Sequence, residues 1–265
     1  MIADAVHSLS DFVTDVVVIV FVKLAGKPCD AGHDYGHGKY ETLATALIGL
    51  MLAAVGVGIL WNGVSQIAIF VHGGTLAQPG FIALIAALIS VLAKEGLYQW
   101  TARRGKALQS QAMTANAWHH RSDALSSIGT AAGIGGAIVL GENWRILDPL
   151  AAIVVSGLIL RVAYQLIRPS MEELLEKSLP EDDEQFITDV IRQQPGVSDP
   201  HNLRTRHIGS YSAIEVHFRM DGNTTLNEAH HATREIENKL RTRFGHKTFI
   251  TTHVEPLKPD TQRPE

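Results

Sequence analysis

The sequence predicts an α-helical membrane domain followed by a small α+β domain with the order α-β-β-α-β. Three observations carry that prediction. Charge is unevenly spread over the 265 residues: the first 170 hold 21 Lys, Arg, Asp and Glu, and the last 95 hold 29. The first part contains five stretches with the roughly 20 mostly apolar residues that cross a bilayer as a helix. The second part changes to short alternating strands and amphipathic helices bounded by Gly and Pro. The expected division is a membrane domain over 1–170, a hinge over 171–180, a soluble domain over 181–258 and a disordered tail over 259–265.

Composition narrows the classes. Hydrophobic residues make up 46% and charged residues 19%, which excludes a disordered or collagen-like chain. The single cysteine, Cys29, permits no intrachain disulfide. A net charge of −4 gives no electrostatic case for nucleic acid as a partner.

The predicted spans are 2–24, 43–71, 81–100, 113–140 and 147–167. The third is nearly free of charge until Lys94 and Glu95. The fourth is rich in small residues over 129–137, which suits close packing of helices in lipid. The alternative, a soluble helical protein, would have to bury several such adjacent runs in a short chain. Lys23, Lys27 and Lys39 lie around the first connection, and Arg103, Arg104 and Lys106 in the third. Arg168 and Lys177 follow the fifth span, whereas the second connection has no Lys or Arg and the fourth only Arg145. Positive charge collects on the cytoplasmic side, so the first and third connections and the C-terminal part are expected in the cytoplasm. Short loops favour a bacterial inner membrane. Met1 would then begin on the outer side, inside a helix.

In the second part, 180–196 reads as an amphipathic helix with acids in its first turn, stopped by Pro195-Gly196. Residues 201–209 and 211–222 follow as alternating strands. Residues 224–245 form a second amphipathic helix closed by Gly245, and 247–256 a third strand.

Ionisable residues in apolar helices are costly, roughly 2.5–3.5 kcal/mol each at the centre on insertion scales, and therefore point to function. At 100° per residue, Asp4, Asp11 and Asp15 fall within about 40° of one another, with His7 about 60° to one side. The fourth span carries His119 and Asp123, again four apart. His7/Asp11 and His119/Asp123 are one device used twice. Two imidazoles and two carboxylates make a full tetrahedral set for Zn2+, with Fe2+, Co2+, Cd2+ and Mn2+ less well matched. These groups also bind protons, so metal and proton binding are linked. The alternative is a hydrogen-bonded clamp between helices.

In the first connection, Asp30, His33 and His37 fall within eight residues on a Gly-rich segment, with Cys29 and Asp34 offering extra donor atoms. The soluble part holds His201, His207, His217, His230, His231, His246 and His253. Spacing does not tell convergent ligands from scattered surface histidines. An intramembrane metalloprotease would need an activating Glu beside its ligands, and no His-Glu-x-x-His occurs.

The segments ADAVHSLSD (3–11), YGHGKYETLA (35–44), HHRSD (119–123), LLEKSLP (174–180) and PGVSDPHNLRTR (195–206) resemble those of the cation diffusion facilitators. The resemblance implies a proton-coupled exporter of divalent metals, not an enzyme, that works as a homodimer in the lipid bilayer. It implies a metallochaperone-like, ferredoxin-like cytoplasmic domain. Carried over by position, His7, Asp11, His119 and Asp123 match the transport site, and Asp30, His33 and His37 a loop site of zinc-exporting bacterial members. His201, His217, His230, His253 and Glu255 match a cytoplasmic binuclear site, with Glu255 where better-known relatives carry Asp. Lys39 and Glu176 match an ion pair between membrane domain and hinge. The His-Asp/His-Asp set makes Zn2+ the expected cargo and regulatory ion. The family usually has six membrane helices, so the expectation is an N-terminal truncation by one helix. A sensor or assembly protein that binds metal without transporting it is the alternative.

Overall fold

The computed structural model describes residues 16–72, 81–140 and 146–257. They fall into two compact units, Met1–Met171 and Glu172–Glu265.

The first unit is helical: α1 (Val16–Ala25), α2 (Lys39–Val71), α3 (Phe81–Ala107), α4 (Gln111–Leu140) and α5 (Leu147–Leu174), whose last turn belongs to the second unit. α2 to α5 stand where apolar stretches were expected, and three run past them; of the first expected span, 2–24, residues 2–15 lie outside the described residues. α2 begins at Lys39, α3 continues through Arg103, Arg104 and Lys106, and α5 continues through Pro169 to Leu174. An apolar window marks only the lipid-crossing part of a helix; backbone hydrogen bonding carries it further into water. Among the described residues, α2 and α5 are apolar enough to cross a bilayer by length and composition, with mean window hydropathies of 2.4 and 2.0. Toward their joined ends α3 and α4 bury polar side chains, Thr101 on α3 and Asn116, His119, His120, Ser122 and Asp123 on α4. Outward residues such as Trp61, Leu92 and Val154 are 76%, 75% and 66% exposed, a surface that fits lipid rather than water.

Glycine spacing explains one helix contact. Gly49, Gly56 and Gly63 recur every seven residues along α2. A Cβ on them would meet Ile167 at 2.7 Å, Leu160 at 3.0 Å and Ile153 at 3.0 Å. The partners on α5 also recur every seven residues, in the opposite direction. Small residues let two backbones approach closely where lipid gives no hydrophobic drive to associate. Around this seam lie the buried Ala44, Ile48, Leu52, Ile159 and Ala163. α3 and α4 form a hairpin through residues 108–110, and the Arg121 guanidinium stacks on Tyr98 at 4.5 Å.

The second unit holds α6 (Glu181–Arg192), β1 (Ser198–Ile208), β2 (Tyr211–Met220), α7 (Leu226–Phe244) and β3 (Phe249–Pro256). The order is the expected α-β-β-α-β. β1 and β2 pair antiparallel, and β3 lies parallel to β2 after the α7 crossover, giving the sheet order β1-β2-β3. β2 alternates cleanly. Ile214, Val216, Phe218 and Met220 are buried against Ile187 and Ile191 of α6 and Ile236 and Leu240 of α7. Glu215, His217 and Arg219 point to the other face. α7 starts with a capping box in which Thr225 and Glu228 satisfy each other's backbone amides, and ends at Gly245 with φ 93°.

Candidate metal sites

Three expected sites fall differently on the described residues. In the membrane unit, His7 and Asp11 lie outside them. His119 and Asp123 lie one turn apart on α4, 5% exposed each, with Nε2 3.7 Å from Oδ2. A buried imidazole beside a buried carboxylate can hold a divalent cation, or a proton in its place. Other buried polar residues of this unit escaped the sequence reading. Asn116 Nδ2 lies 3.4 Å from His120 Nε2, and both residues are buried. Glu41 of α2 accepts the Ala112 amide at 3.4 Å. The signals were present as a His-His doublet and as a carboxylate at the head of an apolar helix.

In the first connection, Asp30, His33 and His37 come together with donor atoms all within 4.8 Å of one another. The segment folds around Asp30. Its Oδ1 accepts the Gly32 amide at 2.9 Å and lies 3.3 Å from His33 Nδ1, and its Oδ2 lies 3.5 Å from His37 Nε2. A short bridge pairs Asp30 with His33. His37 is buried, with its Nδ1 3.2 Å from the Pro28 carbonyl and its ring stacked on Tyr40. Orienting one nitrogen through a backbone carbonyl leaves the other to face the ligand position. The Gly32 amide, and then the histidines, hold the Asp30 carboxyl below its usual range. Cys29 is exposed and Asp34 is not part of the group.

In the second unit the sheet lines up three histidines. His201 of β1 stands opposite His217 of β2, which stands opposite His253 of β3. Ring centroids are 5.6 Å and 4.6 Å apart along the row. β1 reaches this register through two irregularities, between Ser198 and His201 and between His201 and Arg204, with positive φ at Asp199 and Asn202. Glu255, two residues beyond His253 on the same face, closes the cluster: Oε1 lies 3.2 Å from His217 Nδ1 and Oε2 3.3 Å from His201 Nε2. The His217 hydrogen bond, aided by His201 and Arg219, holds the Glu255 carboxyl below its ordinary value against a smaller opposing effect of burial. His201, His217 and Glu255 form one group within 4.8 Å, and His253 Nε2 lies 3.9 Å from Glu255 Oε1. His230 is exposed in the second turn of α7 and is not in that group. Glu176 pairs with Arg206 Nε at 3.2 Å, and Lys39 opens α2.

Known proteins share both units. The profile of the cation efflux transmembrane domain matches residues 1–175, and that of the cation efflux protein cytoplasmic domain matches 179–257. Metal tolerance protein C1 of Arabidopsis thaliana is 37% identical over 97% of this chain, which spans 56% of that protein. The manganese efflux system protein MneP of Bacillus subtilis is 35% identical over 96% of this chain and 85% of its own length. The cation-efflux pump FieF of Escherichia fergusonii is 29% identical over 97% of this chain and 83% of its own length. Among solved structures, the metal-bound C-terminal domain of the CzcD transporter from Thermotoga maritima aligns with 31% identity and a TM-score of 0.28, covering 30% of this chain and 92% of that one.

Proposed function

The chain belongs to the cation efflux family of multi-pass membrane transporters with a cytoplasmic C-terminal domain, and from that premise we propose that it exports Zn2+ in exchange for protons by alternating access. The observation that carries this reading is the buried His119–Asp123 pair on α4. With His7 and Asp11 it supplies two nitrogens and two carboxylates, a tetrahedral set suited to Zn2+. Imidazole and carboxylate must shed their protons to ligate, so loading from the cytoplasm releases protons, and protons arriving from outside expel the metal. A site that accepts one or the other couples the two fluxes. The low-dielectric surroundings penalise leaving the site empty and charged.

The Asp30, His33 and His37 cluster and the His201, His217, His253 and Glu255 cluster serve as regulatory sites. Metal bound to the sheet face shifts a homodimer toward the transporting state, provided that state binds it more tightly. One observation favours a second cargo: a relative named for manganese efflux is 35% identical over nearly the whole chain. Purified protein in liposomes loaded with a pH indicator, challenged separately with Zn2+ and Mn2+, tests the reading. Zn2+ uptake with opposite proton movement is expected. Flux of Mn2+ alone reassigns the cargo, and binding without flux makes the protein a sensor.

A further inference from the structure

Arg219 stands beside the sheet-face cluster and has no place in the ligand set. It lies opposite Glu255 in the β2–β3 register, with one guanidinium nitrogen 3.5 Å from Glu255 Oε2, the oxygen that also faces His201. Its second anchor is Asp199, which it meets in a close ion pair. Asp199 reaches that position because its φ is 48°, in the left-handed region, at the start of the irregular stretch of β1. The same bend lets His201 Nδ1 bond the Asp199 carbonyl at 2.8 Å, which directs its other nitrogen toward Glu255. The Arg219 side chain is only 13% exposed, and its Nε is buried with no hydrogen-bond partner among the described residues. A fixed cation is thus built into a face that gathers three imidazoles and a carboxylate.

The loop cluster is built without one. The Asp30 carboxylate meets the Gly32 amide, His33 and His37, and among the described residues it has no arginine or lysine partner.

We propose that Arg219 sets the metal affinity of the sheet-face site, acting as a resident cation that an incoming divalent ion must draw Glu255 away from. The proposal rests on the reading of this cluster as a metal site. A divalent ion held by His201, His217 and Glu255 lies within a few ångströms of a permanent positive charge, and repulsion at that range weakens binding even where water screens it. Asp199 moderates the effect by holding the guanidinium partly to itself. The loop site, lacking such a charge, fills at lower metal concentration than the sheet-face site. The chain would then answer metal in two steps.

Hydrogen exchange on the full-length protein in detergent, read against Zn2+ concentration, tests this. Peptides over 249–257 report the sheet-face site, peptides over 28–38 the loop site, and zinc-free protection over 211–220 the integrity of the sheet. Arg219→Gln is expected to lower the zinc midpoint at 249–257 by at least about tenfold and leave the 28–38 midpoint unchanged. Arg219→Lys, which keeps the charge, stays within about threefold of the parent protein, and Asp199→Asn raises the midpoint because Arg219 turns wholly to Glu255. Opposite shifts from neighbouring residues do not arise from a structural role alone. An unchanged or higher midpoint in Arg219→Gln overturns the proposal, as does an equal shift in Arg219→Lys or a fall in Asp199→Asn. His217→Ala tests the underlying reading separately: zinc-dependent protection at 249–257 that survives it removes the site itself.

Discussion

His217 and His253 stand directly opposite each other on parallel strands, with ring centroids 4.6 Å apart. Parallel pairing places residues of the same face side by side, so the α7 crossover brings two histidines 36 positions apart in the sequence into one row. His217 is the hub of that row, because it also faces His201 across the antiparallel pair and bonds Glu255.

The hub predicts an acid titration. The largest cause of the depressed Glu255 carboxyl is its bond to His217. In His217→Ala, Glu255 titrates closer to the ordinary glutamate value of about 4.3, read by carbon NMR of labelled carboxyl groups. The sign follows from linkage. A depressed folded pKa gives stability that is fully present above the unfolded value and is lost as pH falls through the folded one. The variant therefore loses its Glu255 contribution at a higher pH than the parent protein.

The loop site depends on one carboxylate. Asp30 links both histidines and the Gly32 amide, so Asp30→Ala removes a ligand and unties the turn. Even a residue that merely supports a metal ligand is worth about 10–100-fold in affinity, and losing a ligand costs at least as much. One zinc equivalent per chain should disappear from equilibrium dialysis at micromolar metal. Full retention would show that the cluster holds no metal.

The glycine seam predicts a contrast within α2. Gly49→Ala places a methyl group 2.7 Å from Ile167, and overpacking of this kind costs about 1–3 kcal/mol. Gly58 has open space at its Cβ position, so Gly58→Ala in the same helix should be neutral or stabilising by about 0.5–1 kcal/mol. Thermal unfolding in detergent, comparing the two variants, reads the difference.

What the sequence disclosed followed physical range. Asp30, His33 and His37 were legible because eight residues of pliable chain can close on themselves. β2 and β3 were legible because alternation assigns Val216 and Phe218 to the core and His217 to the open face. His201 was harder: its side of the sheet depends on two irregularities of β1 and on positive φ at Asp199 and Asn202, residues that adopt it more readily than most but do not announce it. Arg219 carried no motif at all, since its meaning comes from register with Glu255. For His230 spacing offers nothing: its assignment rests on resemblance, and α7 holds it exposed, outside the group of His201, His217 and Glu255. The seven-residue recurrence of Gly49, Gly56 and Gly63 was there to be read, and only the matching Ile153, Leu160 and Ile167 give it a partner.

Transport through the buried pair on α4 is the central claim. Liposomes containing purified protein, with an outward zinc path reported by a trapped fluorescent zinc chelator, read it directly. Asp123→Ala and His119→Ala, each verified as folded, should cut proton-coupled Zn2+ flux by at least about a hundredfold, because each loses a ligand whose removal costs several kcal/mol of cation stabilisation in a low-dielectric site. Zn2+ flux at the parent rate in either variant would contradict the account.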